Sequence, residues 1–237
     1  MQVLELWRYP VKSLQGERLE TAEVTADGLA GDRRFALFDS DTGLGLTARR
    51  VPELLFASAR LLDDGGVRIE LPGGSVAADD AALSEWLGRR VALRAADDVG
   101  ARRYENPVEF EREATAEWEV FNGARGAFHD SARARVSLVS TGSLGEWDRR
   151  RFRSNVVLDG SGEDAFVGST MDLGGCVLEV MKRIERCVMT TRAQPGGIGR
   201  DLDVLRTIHR ERARCLAIGA LVRRPGTLRT GDAVVVS

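Results

Sequence analysis

Short apolar runs recur along this chain from its first residues. Residues 2–8, 19–25, 34–39, 55–62 and 67–70 are each bounded by clusters of Gly, Pro or Asp. Such spacing predicts an antiparallel, mostly β arrangement rather than repeated βαβ units. Gly28 to Asp32 and Asp41 to Gly43 read as turns that need left-handed backbone. One helix is expected over 79–89, where Leu83, Trp86 and Leu87 fall at i, i+3 and i+4 and an aspartate stands at the start.

From about residue 97 to 126 the chain is polar and acidic, and 106–117 reads as an irregular excursion. β-type sequence resumes at 134–140 and is followed by a hydroxyl-rich turn into a short helix near 141–147. Further strands are expected at 153–158, 170–173, 176–181, 215–221 and 233–236. The 225–234 stretch reads as turn, strand, turn, strand. The fold class is therefore mostly β with a few helices, α+β. A division into residues 1–95 and 96–237 accommodates the pattern, and a long insertion in one domain fits as well.

Composition narrows the function classes. The 237 residues carry a formal net charge of −2, so no global cationic field argues for nucleic acid. Lys12 and Lys182 are the only lysines among many arginines, which makes a lysine in a tight motif more telling than any one arginine. Three cysteines, Cys176, Cys187 and Cys215, without CxxC spacing suit a reducing compartment. The amino terminus has no signal-peptide pattern and no stretch approaches the roughly 20 apolar residues of a membrane span. A cytoplasmic protein with no membrane partner is expected.

Candidate chemistry centres on Cys187, which follows an apolar run and stands in Lys-Arg-Ile-Glu-Arg-Cys-Val-Met-Thr-Thr. With Arg183 and Arg186 beside it, the thiol is expected to ionise readily, the form that binds metal or attacks. The alternative is a buried small hydrophobe. Two histidines cannot make a three-histidine zinc site. Phosphate-loop and dinucleotide fingerprints are missing, and Gly196 to Gly199 is better read as a turn. No cysteine set suits an iron–sulfur cluster. A hydrolase pairing Cys187 with His129 has no family signature around either residue.

Four further segments share a chemistry. Tyr9 to Ser13 places Lys12 and Ser13 after a strand, and Gly31 to Phe35 places Arg34 at the entry to the next. Ser140, Thr141 and Ser143 offer hydroxyls and backbone N–H groups at a helix start. Arg153 and Asn155 offer a fork of donors and an amide. With Arg186, Thr190 and Thr191 these are suited to a phosphate and a polar heterocycle.

In this order the segments resemble the MOSC family of molybdenum-cofactor proteins. More closely, they resemble its branch with an amino-terminal β-barrel region, like the mitochondrial amidoxime-reducing component and its bacterial relatives. The motifs are Tyr-Pro-Val-Lys-Ser at 9–13, Gly-Asp-Arg-Arg-Phe-Ala-Leu-Phe at 31–38 and Leu-Thr-Ala-Arg-Arg-Val-Pro-Glu-Leu at 46–54. Arg-Phe-Arg-Ser-Asn-Val-Val-Leu at 151–158, Arg-Cys-Val-Met-Thr-Thr at 186–191 and Pro-Gly-Thr-Leu-Arg-Thr-Gly-Asp at 225–232 complete the set. The resemblance implies a MOSC-type β-barrel plus an amino-terminal β-rich subdomain. It implies that Cys187 is the thiolate ligand of molybdenum held by a molybdopterin, a soft ligand for a sulfur-rich site. Lys12, Ser13, Arg34, Ser143, Arg153 and Asn155 align with positions that grip the cofactor, and Arg186 and Thr190 lie in the metal-binding motif. Asp232 is a looser carry-over near the metal.

The activity implied is two-electron removal of oxygen from small N-hydroxylated or N-oxygenated compounds. Electrons would come from a separate donor protein of flavin, iron–sulfur or haem type. Many relatives carry an acidic residue where this chain has Gln194 before Pro195, which alters the expected charge of the pocket. The alternative function is a non-enzymatic carrier of sulfur or of the molybdenum cofactor, using Cys187. No pyridoxal-phosphate domain accompanies it here, which weakens that alternative.

Overall fold

The computed structural model describes residues 1–109 and 115–237. Among them the largest sheet has eight strands, in the order Val234–Val236, Thr170–Leu173, Cys176–Glu185, Cys215–Arg224, Val136–Ser140, Val156–Leu158, Val3–Arg8 and Glu17–Leu19. Every neighbouring pair is antiparallel except Val136–Ser140 beside Val156–Leu158. A three-stranded sheet of Gly226–Arg229, Thr21–Thr25 and Gly28–Leu29 packs with it. The shared core holds Leu6, Val24, Leu138, Leu158, Leu178, Ile218 and Leu228, all essentially buried. Alternation explains this burial: residues two apart on a strand share a face, and here that face is Leu, Val, Ile or Met. The mostly β expectation is met.

Strands from the first 30 residues therefore lie in sheets completed by the last 100. Val3–Arg8 pairs with Val156–Leu158, and Thr21–Thr25 pairs with Gly226–Arg229. A second core gathers the middle of the amino-terminal region. There the antiparallel pair Phe35–Asp39/Val91–Ala95, the hairpin Ser58–Leu61/Val67–Glu70 and the helix Asp80–Leu87 cover Val11, Leu14, Leu54 and Leu83. The helix is bounded as its sequence dictates. Asp79 caps it by accepting from Ala82 N at 2.9 Å, and Gly88 ends it in left-handed conformation.

Three elements differ from the sequence reading. The polar 97–126 stretch contains an antiparallel ribbon, Arg103–Pro107 with Trp118–Asn122. Its packed residues are aromatic, with Tyr104 buried and facing Phe121 across the ribbon, while Val120 stays exposed. Part of the expected 106–117 excursion, residues 110–114, lies outside the described residues. Second, Asp203–Glu211 is a helix that buries Val204, Leu205 and Ile208 against a third core. Third, the strand expected at 176–181 runs on to Glu185, through charged residues. Its pairing with Cys215–Arg224 slips register between Val177 and Leu178, between Val180 and Lys182, and between Arg183 and Glu185. Such bulges bend a strand and re-aim its side chains.

Candidate functional site

The bent strand delivers Cys187. After Glu185 the chain passes through Arg186 and Cys187 into one 3₁₀ turn, Val188–Thr191. The Cys187 carbonyl accepts from Thr190 N at 3.1 Å and from Thr190 Oγ1 at 3.0 Å, while Thr191 Oγ1 donates to Val188 O at 2.8 Å. Arg151 clamps the turn by donating to the carbonyls of Thr190, Arg192 and Gly199 at 3.1, 3.2 and 2.8 Å. Arg186 ties it to the neighbouring layers, with Nε on Leu216 O at 2.7 Å and Nη1 on Phe152 O at 3.0 Å. The half-buried thiol is thus held by a backbone that its own neighbours brace.

Cys187 faces a cavity of about 300 Å³. Six cationic side chains line it, Lys12, Arg33, Arg49, Arg153, Lys182 and Arg186, against two carboxylates, Asp130 and Glu185. That imbalance, in partly desolvated surroundings, favours an anionic ligand. Ser13, Arg33 and Arg153, three of the lining residues, have left-handed backbone, with φ of 69°, 51° and 53°. For residues with a Cβ this is costly and persists only where the surroundings hold it. Here Ser13 Oγ accepts from Ala48 N at 3.0 Å, Arg33 Nη2 donates to Arg153 O at 3.1 Å, and Arg153 Nη1 donates to Leu14 O. The two guanidiniums lie against one ring, Tyr9, at 5.2 and 4.3 Å from its centroid.

A relay of charges leads to the sulfur. Lys12 Nζ donates to Asp130 Oδ1 at 2.6 Å and to Phe128 O at 3.0 Å. Asp130 Oδ2 lies 3.4 Å from Arg49 Nη2, and Arg49 Nε donates to Cys187 Sγ at 3.4 Å. Burial pulls the Lys12 ammonium below its usual range, partly offset by Asp130. Desolvation at its inner edge would raise the Asp130 carboxyl, half of which stays exposed, but Lys12 and Arg49 outweigh it and hold it well below the usual carboxylate range. Burial lowers Arg153 and Arg186 to about 10 each. His129 is pushed down to about 3 by burial and by Arg33, so it is neutral near pH 7.

Four buried polar atoms of the lining have no partner: Thr47 Oγ1, Arg49 Nη1, His129 Nε2 and Arg186 Nη2. Unpaired buried donors are costly, and a cluster of them around a cationic cavity fits a ligand rich in acceptor atoms.

Of the residues singled out in the sequence, Lys12, Ser13, Arg153, Asn155, Arg186, Cys187 and Thr190 line the cavity. Asn155 is already committed: its Oδ1 accepts from Ser137 N and Oγ at 3.1 and 2.8 Å, and its Nδ2 donates to Trp7 O at 3.2 Å. Several expected residues lie elsewhere. Arg34 is exposed and stacks near Phe35, while its neighbour Arg33 turns inward because of its left-handed backbone. The helix start at Ser140 and Ser143 already has an anion, the fully buried Glu163, which accepts from both hydroxyls. Thr141 Oγ1 donates to Gly160 O at 3.2 Å. Thr191 is spent on the turn.

Arg183 reaches Arg212 O at 2.8 Å and Asp164 at 3.3 Å instead of the thiol. Asp232 Oδ2 accepts from Arg229 N at 2.7 Å in a surface turn. Gln194 is buried outside the lining, where its Oε1 accepts from Gln15 Nε2 at 2.9 Å. Arg33, Arg49, Asp130 and Thr47 were not picked out by sequence reasoning, and His129 was weighed only as a hydrolase partner of Cys187. For Arg49 and Thr47 the signal was available, because Leu-Thr-Ala-Arg-Arg is one of the quoted motifs.

Residues 1–110 match the family model of the MOSC N-terminal beta barrel domain, and residues 125–235 match that of the MOSC domain. The chain belongs to the MOSC family. This MOSC protein is 28% identical over 224 residues to mitochondrial amidoxime reducing component 2 of Bos taurus, an alignment covering 80% of this chain and 66% of the relative. The chain thus spans just under two thirds of that relative's length. It is 25% identical over 287 residues to mitochondrial amidoxime-reducing component 1 of Mus musculus, covering 98% of this chain and 81% of the relative. Among solved structures, the YUAD protein from Bacillus subtilis aligns over 99% of this chain and 94% of its own, with a TM-score of 0.48 and 14% identity. No helix among the described residues is long and apolar enough to cross a membrane.

Proposed function

We propose that this MOSC protein is a molybdenum-cofactor oxidoreductase that removes oxygen from small N-hydroxylated compounds, fed by a separate electron-donor protein. The observation that carries this reading is the placement of Cys187 in a cation-lined cavity whose buried donors on Arg49 and Arg186 lack partners. The similarity to two amidoxime-reducing components supports the substrate class. Cys187 would be the thiolate ligand of the metal, and Lys12, Arg33 and Arg153 would hold the acidic part of the pterin. Among the described residues no three His, Cys, Asp or Glu side chains gather to hold a metal. The remaining ligands would therefore come from the cofactor. When bound, the cofactor supplies a centre that takes up oxygen and passes two electrons.

The chain's own residues would do the rest. Lys12 and Arg153, fixed by Asp130 and by the Leu14 carbonyl, present charge without reorganising. A cytoplasmic site, no nucleic-acid partner and a division near residue 95 belong to the same proposal.

The test is the molybdenum and pterin content of the chain made in a host that synthesises the cofactor, compared with Cys187→Ser. One metal per chain, lost on substitution, is the expected result. Metal-free protein with a persulfide on Cys187 would instead establish the carrier function.

A further inference from the structure

The residue in direct contact with the thiol is Arg49, which comes from the amino-terminal region. Its three nitrogens have three different fates. Nε donates to Cys187 Sγ at 3.4 Å, Nη2 faces Asp130 at 3.4 Å, and Nη1 is buried without a partner. Its backbone is pinned too, since Arg192 Nη2 donates to the Arg49 carbonyl at 2.6 Å. The guanidinium also lies over Phe121 of the ribbon, its carbon 5.6 Å from the ring centroid. A planar fork held at Nε and Nη2 leaves Nη1 as its nitrogen without a partner, with its donors fixed in direction by the plane.

We propose that Arg49, aimed by Asp130, is the specificity-determining residue at Cys187, selecting ligands that present an anionic oxygen beside the sulfur. Arg49 is the gripping residue and Asp130 a positioning residue that acts through it. Asp130 is in turn anchored by Lys12. The selection for negative charge is a property of the chain itself. Only the identity of the natural ligand rests on the function proposed above.

Two thiol reagents of nearly equal size separate charge from reactivity. Iodoacetate is anionic and iodoacetamide is neutral, and both meet the same sulfur, so their rate ratio reports the field at Cys187. The full-length chain, made without cofactor, is alkylated with each, and modification of the Cys187 peptide is followed by mass spectrometry. Relative to free cysteine, the wild type should favour iodoacetate. Arg49→Gln should lower that ratio roughly tenfold, as expected for one unit charge removed from near the sulfur. Arg49→Lys should retain most of the preference, which guards against loss of fold as the cause.

Asp130→Ala decides the positioning role. If Asp130 acted only as a charge, removing it would raise the ratio; if it aims Arg49, the ratio falls, and Asp130→Glu restores it. An unchanged ratio in Arg49→Gln, or a raised ratio in Asp130→Ala, overturns the proposal. Metal content is a separate measurement. Metal-free wild type with an intact reagent preference would refute the cofactor reading and leave this inference standing.

Discussion

Lys12 Nζ lies 2.6 Å from Asp130 Oδ1, although the two residues are 118 positions apart and come from different halves of the chain. The ammonium is nearly buried and also sits 4.8 Å from the centroid of the Tyr104 ring. Lys12→Met would leave Asp130 without its nearest cation. Because the Asp130 side chain is 57% exposed, water takes over part of the loss, and the cost should be about 1 kcal/mol rather than that of a sealed pair. Denaturant midpoints of Lys12→Met, Asp130→Asn and the double variant should show coupling between the two sites. Strict additivity would mean that the contact contributes nothing to stability.

His129 makes a pH-dependent contribution with a definite sign. In the folded chain its pKa is lowered to about 3, against an ordinary histidine value of 6.5. Above pH 6.5 both states leave it neutral and its burial carries no protonation penalty. As pH falls below 6.5 the unfolded chain takes up the proton first, so stability is lost until the folded value is reached. Between pH 7 and 5 this amounts to about 2 kcal/mol. His129→Gln should flatten that part of the stability profile, measured by chemical denaturation at both pH values.

Arg153 combines a strained backbone with a packed side chain. Arg153→Ala and Arg153→Gly both remove the contacts to Leu14 and Tyr9, but only Gly relieves the left-handed φ of 53°. The Gly variant should be more stable than the Ala variant by about 1 kcal/mol. Equal melting temperatures would show that the left-handed turn is not costly here.

Much of the fold was legible because neighbours in sequence carried it. Asp79 and Gly88 bracket a helix with Leu83 on its buried side, and alternating Val, Leu and Ile mark the central strands. The helix at Asp203–Glu211 was equally written, in Val204, Leu205 and Ile208, but the arginines and acids between them mask the pattern. The ribbon was hidden because two aromatic residues, Tyr104 and Phe121, stand in for an apolar face. At the site, one turn of backbone decides between Arg33 and Arg34, and φ is not readable from composition. Arg49 was invisible as a partner of Cys187 because 138 positions separate them and only the tertiary fold joins them.

Ser143 offers a test of the helix start as a structural rather than a ligand-binding element. Its hydroxyl donates to Glu163 at 2.9 Å and accepts from Arg212 at 3.0 Å. Ser143→Ala should cost about 1–2 kcal/mol in thermal or chemical denaturation, because a buried carboxylate loses a donor. Pterin and molybdenum content of the folded fraction should not change. Loss of pterin at normal stability would return Ser143 to the binding site.

The placement of Val3–Arg8 between Val156–Leu158 and Glu17–Leu19 has a consequence for synthesis. A growing chain releases that first strand long before its partner at 156 exists, and Thr21–Thr25 waits still longer for Gly226–Arg229. Val3–Arg8 can pair with Glu17–Leu19 at once, but its other edge stays open until Val156–Leu158 has been made. Lys12 and Ser13 follow shortly after that strand, so the cavity wall that they form is completed only once Val156–Leu158 is in place. Loss of Gly226–Arg229 would be felt at Thr21–Thr25, near the other end of the chain.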